Sequence, residues 1–273
     1  MSPRLLLKKG LLLAAVMAAG FVSLSVAGAL FSEPEHAPPG LEQLFGEKES
    51  FHYEVRYGFF SLGDMYVSTA DTLVDGQAFL HIEALIESNS GIPLMSDKRY
   101  SYNSLLARND STAFGQYFWV DKLHKDLDKA IEYRFDYEQA KVYSSIVEEE
   151  IRDTLDLIGP ADGGMALFFN GRIQAGTDSR QRHPIYIDNV LEYITITNTL
   201  ERDVVDSEVL GDDTEVFISY GAADINGPFG FSGDFVSRYA TGPRRIPVLA
   251  KADVWIGNVS IRLKEYRNPV LEE

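Results

Sequence analysis

From Glu49 onward, apolar and polar residues alternate with a period of two, which is the pattern of strands that bury one face. In residues 51–57, Phe51, Tyr53, Val55 and Tyr57 share one face and polar side chains occupy the other. The alternation recurs at 78–87 and 131–136, and it predicts shorter strands near 65–69, 99–103, 116–120, 142–146, 190–197 and 215–220. Because Gly, Asn and Asp separate these runs, we predict a mainly β chain that forms an antiparallel sheet or barrel.

One segment departs from this alternation. After Pro160, Asp162 is a residue type that caps helices, and we predict a short amphipathic helix from Asp162 to Ala175. Its apolar residues recur at helical spacing: Met165, Phe168, Phe169 and Ile173. We expect this helix to pack its phenylalanines onto the sheet.

The C-terminal part predicts a hairpin. Two apolar stripes flank Gly257–Asn258, a pair that suits a two-residue turn. That turn would place Ala252 opposite Leu263 and Asp253 opposite Arg262. The second face of the hairpin would then be charged and exposed to solvent.

The N-terminus has the pattern of an export signal. Arg4, Lys8 and Lys9 precede residues 10–31, which carry no charge, and Ala27-Gly28-Ala29 favours cleavage after Ala29. The alternative is an uncleaved anchor, because the uncharged segment of 22 residues is long enough to cross a bilayer. Both interpretations place the rest of the chain outside the cytoplasm.

These boundaries divide the chain into four parts. We predict a signal peptide over residues 1–29, or an anchor to about 31, and a tether over 30–48 that contains Pro34, Pro38 and Pro39. A single β-rich domain covers 49–268, and 269–273 form a tail.

Composition excludes several classes of function. The 273 residues contain no Cys, which rules out disulfides, zinc–thiolate sites, a cysteine nucleophile and a lipidated N-terminal Cys. The net charge of −16 becomes −19 if residues 1–29 are removed, because that segment is basic. A chain this acidic is not expected to bind nucleic acid, whose phosphates attract clustered Lys and Arg.

Motifs for catalysis are not found. There is no nucleophile elbow, HExxH helix, P-loop or dinucleotide fingerprint, so we predict no enzyme activity and no cofactor. His52 and His81 would make a metal pair only if their strands are neighbours, and the residue pattern implies no third ligand. Residues 224–227 resemble only a fragment of a calcium loop. A glycan hydrolase with two carboxylates is a weaker alternative, since it needs only spatial proximity.

Aromatic residues are concentrated in the predicted strands. They either fill an ordinary core or line a cavity for an apolar ligand. The candidate lining residues are Tyr53, Tyr57, Phe231, Phe235 and Trp255. Arg244 and Arg245 are candidates for contact with an anionic headgroup; alternatively, they begin a strand and pair with acidic neighbours.

Three C-terminal segments and one N-terminal segment carry a family resemblance. Residues 229–236, 242–248 (Gly-Pro-Arg-Arg-Ile-Pro-Val) and 257–263, together with 53–63, resemble exported bacterial proteins of domain of unknown function 3108. The resemblance covers roughly residues 49–266, and the acidic stretch 201–213 departs from it. It implies a fold like that of periplasmic lipoprotein carriers: a strongly curved antiparallel sheet, or incomplete barrel, over one short helix. It supplies no catalytic residues.

These observations lead to one main expectation of function. We expect a non-enzymatic protein of the periplasm or cell envelope, or one anchored to the membrane by residues 10–31, that binds a lipid or a lipoprotein segment. The alternative is an interaction module that scaffolds other envelope proteins. Fold alone does not decide between them.

Overall fold

The computed structural model describes residues 37–46, 48–89, 99–123, 129–146, 150–223, 233–254 and 257–269. Two short helices lie within these ranges, α1 (Leu41–Phe45) and α2 (Leu167–Gln174). The strands are β1 (Ser50–Tyr57), β2 (Phe60–Val74), β3 (Gln77–Ser88), β4 (Arg99–Arg108), β5 (Ala113–Lys122), β6 (Lys129–Asp136), β7 (Lys141–Ile146), β8 (Ile151–Asp156), β9 (Ser179–Ile187), β10 (Val190–Ser207), β11 (Gly211–Ala223), β12 (Asp234–Ala240), β13 (Pro247–Val254) and β14 (Gly257–Arg267). The prediction of a mainly β chain is confirmed.

All these strands belong to one antiparallel sheet. Its spatial order is β8-β7-β6-β5-β4-β3-β2-β1-β14-β13-β12-β11-β10-β9. Most neighbours are therefore consecutive in the chain, and the exception is the pairing of the first strand with the last, from Ser50–Arg267 to Tyr57–Val259. This pairing joins the two halves of the chain at the middle of the sheet.

The sheet curls until its two edge strands lie near each other, but it is not closed into a barrel. In the described part of the chain, no strand ladder joins β8 to β9. The Tyr186 hydroxyl instead donates to the Asp156 carbonyl at 2.5 Å, and the Ser144 hydroxyl donates to Asn189 Oδ1 at 2.6 Å. We call this junction the seam. The predicted curved sheet or incomplete barrel is confirmed.

The inner face of the curl carries the core. Along β1, Phe51, Tyr53 and Val55 are buried while the intervening residues are more exposed, as the alternation predicts. Phe169 of α2 is completely buried, so the helix does pack an aromatic residue onto the sheet.

The predicted helix is five residues too long at its N-terminal end. Both carboxylate oxygens of Asp162 accept backbone N–H groups, from Gly164 at 2.8 Å and Ala166 at 2.5 Å. These bonds hold a non-helical turn ahead of α2 instead of capping the helix itself. The prediction that Asp162 caps the helix is therefore wrong, because the N-cap position of α2 is Ala166 and no side chain caps it.

The predicted register of the C-terminal hairpin is wrong. Ala252 lies opposite Val259, and Val254 opposite Gly257, so Gly257 and Asn258 do not form the turn. Arg262 faces Leu249 and not Asp253. Gly257 and Asn258 instead begin β14, where they pair with Val254 and Asp253 of β13. The shift of four residues is even, so the apolar faces still coincide.

The predicted tether is too long at its C-terminal end. Residues 41–45 form α1, whose Leu41 and Leu44 are buried and whose Phe45 ring lies 5.3 Å from that of Phe169. Because its apolar residues recur at spacings of three and four, one side of α1 is apolar and packs against the core.

The predicted signal or anchor (1–31) and residues 270–273 of the tail lie outside the described residues. No helix in the described ranges is both long and apolar enough to cross a bilayer.

Candidate functional site

A cavity of about 160 Å³ lies between the inner face of the sheet and the segment that leads into α2. Its walls come from strands far apart in sequence, β1–β4 on one side and β10 and β12–β14 on the other, together with residues 164–168. The lining is mainly apolar and includes Met65, Ile82, Tyr102, Phe168, Ile194 and Phe235. A space of this kind favours an apolar occupant over water.

The few polar atoms in the cavity wall already have protein partners. The Tyr53 hydroxyl donates to the Pro247 carbonyl at 3.1 Å, and the side chains of Ser237 and Tyr239 are hydrogen-bonded to each other. Burial raises the pKa of the Tyr53 phenol and raises that of Tyr239 to about 12. Both phenols are therefore neutral near pH 7, and the wall offers apolar surface without a charge.

Asn170 and Gly171 fix α2 against the sheet beneath the cavity. The Asn170 side chain accepts from the Ala113 N–H at 2.8 Å and donates to the Ala113 carbonyl at 3.0 Å, which mimics a strand partner for the start of β5. Gly171 lets Tyr239 approach closely, because a Cβ built there would lie 2.2 Å from the Tyr239 hydroxyl oxygen.

A buried ion pair joins α2 to the sheet. The Arg172 guanidinium donates to both oxygens of Glu49, at 2.6 and 3.0 Å, and both side chains are completely buried. Tyr266 donates to Glu49 at 2.7 Å, and Arg172 also donates to the Arg244 carbonyl at 3.0 Å. These bonds satisfy the buried charges and clamp α2 where β1 begins and β14 ends.

Asp162 holds the segment that covers the cavity. Besides the two N–H groups that its carboxylate accepts, its backbone carbonyl accepts from the Tyr186 N–H at 2.9 Å, in an isolated bridge to β9 at the seam. Its side chain is fully buried, and this burial raises its pKa to about 6. One residue therefore connects the seam to the cavity lining at Gly164 and Met165.

Of the five aromatic residues predicted to line a cavity, Tyr53 and Phe235 do so. Tyr57 is half-buried at the end of β1 and packs on the core outside the lining. Phe231 and Trp255 lie outside the described residues. Most of the lining is aliphatic, and seven of its residues belong to strands that the alternation predicts, at 65–69, 78–87 and 190–197. Candidates restricted to aromatic residues do not include them.

Arg245 does not have the position that headgroup contact needs. Its side chain is completely buried, donates to the carbonyls of Ala175 at 3.2 Å, Gly242 at 2.7 Å and Thr241, and lies 4.7 Å from the centre of the Phe217 ring. Burial lowers its pKa to about 10. Arg244 is half-buried, and its carbonyl serves the ion pair under α2. Arg245 is therefore an internal brace for α2 and β12.

The two strand histidines have separate partners. His52 lies 2.6 Å from Asp64 Oδ1, and His81 lies 2.9 Å from Asn103 Oδ1, with β2 between their strands. Among the residues that the structure describes, no three His, Cys, Asp or Glu side chains are grouped as metal ligands. Residues 224–227 lie outside the described ranges.

Neither a family model nor a curated protein sequence matches the chain, so nothing in these comparisons supports the resemblance to domain 3108. Among solved structures, a β-barrel-like protein of domain of unknown function 1849 from Brucella abortus is similar, with 11% identity over 81% of this chain and 98% of that one, and a TM-score of 0.50. A porin-like protein from Bacteroides uniformis aligns with a TM-score of only 0.29, at 8% identity over 85% of this chain and 99% of that one. The first likeness shows a β-barrel-like fold and no function; the second is too low to support an argument.

Proposed function

We propose that this chain is a non-enzymatic, exported envelope protein that binds the apolar end of a lipid or of a lipidated segment in its inner cavity. The observation that carries the proposal is the mainly apolar cavity between the inner face of the sheet and the segment that leads into α2. Polar atoms in its wall are paired within the protein, so an apolar occupant would leave none of those bonds broken.

The size of the cavity narrows the class of ligand. At about 160 Å³, it is comparable to engineered cavities of roughly 150 Å³ that stay dry and bind benzene. A drug-sized molecule needs about 300 Å³ or more. The proposed occupant is therefore one chain end or one ring, with the polar remainder of the ligand outside.

Export is the second part of the proposal. It rests on the basic and then uncharged N-terminal sequence and on the absence of Cys from a chain that would meet oxidising conditions. The protein would reside in the periplasm or cell envelope, free or anchored by residues 10–31. Fractionation of cells that produce the full chain, with N-terminal sequencing of the product, distinguishes the two forms.

Lipid binding is tested by filling the cavity. Ala84 lines it and is buried, whereas Ala70 lies on the outer face of β2 and is exposed. We expect Ala84→Phe to abolish the fluorescence enhancement of a lipophilic probe and the extra mass seen by native mass spectrometry, while Ala70→Phe leaves both unchanged. Phe168→Ala, which enlarges the cavity, should increase probe binding.

Three results would contradict this proposal. They are a purified protein that is reproducibly empty and ignores the probe, equal binding by Ala84→Phe and the parent, and equal loss in Ala70→Phe. Circular dichroism of each variant identifies loss of fold, and in that case Phe168→Ala alone decides by the direction of its effect.

A further inference from the structure

A second concavity lies on the opposite, outer face of the sheet. It has a volume of about 660 Å³ and extends over β5–β8. Its lining includes Tyr117, Glu132, Arg134, Tyr143, Arg152 and Thr154. We call this concavity the outer groove. These residues alternate with buried inner-face residues such as Phe118 and Tyr133, so they cannot contact the inner cavity.

Strand register aligns part of the groove into a row across four strands. Tyr117 lies opposite Arg134, Arg134 opposite Tyr143, and Tyr143 opposite Thr154. With about 4.8 Å between strands, this row is roughly 14 Å long. The Arg134 guanidinium lies 4.6 Å from the centre of the Tyr143 ring, and this contact orients it.

A second, parallel row supplies hydrogen-bonding groups of both charges. Trp119 lies opposite Glu132, Glu132 opposite Ser145, and Ser145 opposite Arg152. The Trp119 and Tyr117 rings are 5.2 Å apart, and the Trp119 indole N–H donates to Asp121 at 3.0 Å. The two rows together combine aromatic rings, guanidinium and carboxylate groups, and hydroxyls.

This combination favours one class of ligand. A phosphate or polyanion would meet the carboxylates of Glu132 and, beside Trp119, of Asp121, and a protein partner would require a contact centre depleted of charge. A sugar offers hydroxyls to planar guanidinium and carboxylate groups, and C–H faces to aromatic rings. The volume lies within the range of small-molecule sites, which is about 300–1,000 Å³.

We propose that the outer groove binds a neutral oligosaccharide about three sugar units long along the row from Tyr117 to Thr154. The proposal is independent of lipid binding, because the two sites lie on opposite faces of the sheet. It gives the protein a glycan contact on its outer surface, on the opposite face of the sheet from the inner cavity.

Trp119 provides the readout. The chain contains two tryptophans, so in a Trp255→Phe background only Trp119 remains. We would titrate this protein with chitotetraose, maltotetraose and cellotetraose to about 10 mM, where a site with a Kd of about 1 mM is mostly filled. We expect saturable change in Trp119 fluorescence with at least one sugar, and a Kd about tenfold or more weaker in Tyr117→Ala and in Arg134→Ala.

The matched control is Tyr66→Ala, which removes an exposed tyrosine from the outer face of β2, away from the groove. Its Kd should equal that of the parent. The proposal is overturned if none of the three sugars binds, if inorganic phosphate competes with the sugar, or if Tyr66→Ala weakens binding as much as Arg134→Ala. If Arg134→Ala fails to fold, Arg152→Ala, at an exposed position on β8, takes its place with the same criteria.

Discussion

Asp162 offers a direct test of how the cavity segment is held. Burial raises the pKa of its carboxyl from 3.8 to about 6, so the folded protein binds this proton more tightly than the unfolded chain does. The stabilisation from this proton is therefore complete below pH 3.8 and is lost as pH rises through about 6. A shift of about two pKa units corresponds to about 3 kcal/mol at full extent.

Titration of His183 has the opposite effect on the pH dependence of stability. Burial lowers the pKa of its imidazole from 6.5 to about 4, so its contribution to stability is complete above pH 6.5 and is lost as pH falls through about 4. The two effects are of similar size and overlap in pH. A stability profile of the wild type alone would therefore show little change from either group, and variants are needed to separate them.

The perturbation is Asp162→Asn, which removes the titration and keeps an oxygen that can accept a backbone N–H. Urea unfolding at pH 7.0 and pH 4.5 gives the free energy of unfolding of wild type and variant. As pH falls between these values, wild type should gain about 2 kcal/mol relative to Asp162→Asn, because His183 and all other groups are common to both proteins. Asp71→Asn is the control, since the Asp71 side chain is 68% exposed.

Two outcomes would refute this reasoning. If the difference between wild type and Asp162→Asn is the same at both pH values, burial does not raise the pKa of Asp162. If wild type instead loses stability relative to the variant at pH 4.5, the N–H groups of Gly164 and Ala166 stabilise the carboxylate by more than its burial costs. His183→Gln should show the complementary change, a gain over wild type at pH 4.5.

Three further predictions concern α2 and the seam. Glu49→Gln should lower the free energy of unfolding by about 3–5 kcal/mol in urea, because it leaves the buried Arg172 charge uncompensated; equal stability would show that Tyr266 and the Arg244 carbonyl suffice. Gly171→Ala should lower Tm by several degrees, since its Cβ would lie 2.2 Å from the Tyr239 hydroxyl, and Tyr239→Phe should rescue part of that loss. Tyr186→Phe removes the bond to the Asp156 carbonyl across the seam, so amide exchange in β8 should accelerate more than in β1; a uniform change would contradict the seam as a locally weak junction.

Local pattern was sufficient to predict the strands, because alternation reports which face of a strand is buried. It predicted the inner face of β1 residue by residue. It was insufficient for the C-terminal hairpin, because Gly257–Asn258 favour a turn but pair with β13 as part of β14. It was also insufficient for the pairing of β14 with β1, which joins residues about 200 positions apart and follows from no local rule.

The same limit explains why the sequence did not predict which charged residues are buried. Arg245 was considered as a surface contact, yet its carbonyl partners lie on the turn before β13 and after α2, at Gly242 and Ala175. Glu49 and Arg172 are 123 positions apart, and their types alone would suggest exposed side chains. Burial of these charges becomes predictable only once the position of α2 is known.

The cavity is hardest to predict for a physical reason. Its lining residues are of the same types that fill an ordinary core, and a cavity differs only in lacking atoms on one side of them. Whether those atoms are missing depends on the distance across the curl, for example between Tyr102 of β4 and Ile194 of β10, and on the position of α2, because Leu167 and Phe168 belong to the lining. The Arg172–Glu49 ion pair and the Asn170 bonds to Ala113 hold α2 in this position, although none of these four residues lines the cavity. It follows that the proposed ligand specificity should be altered by changes at the α2 clamp as well as by changes in the cavity wall.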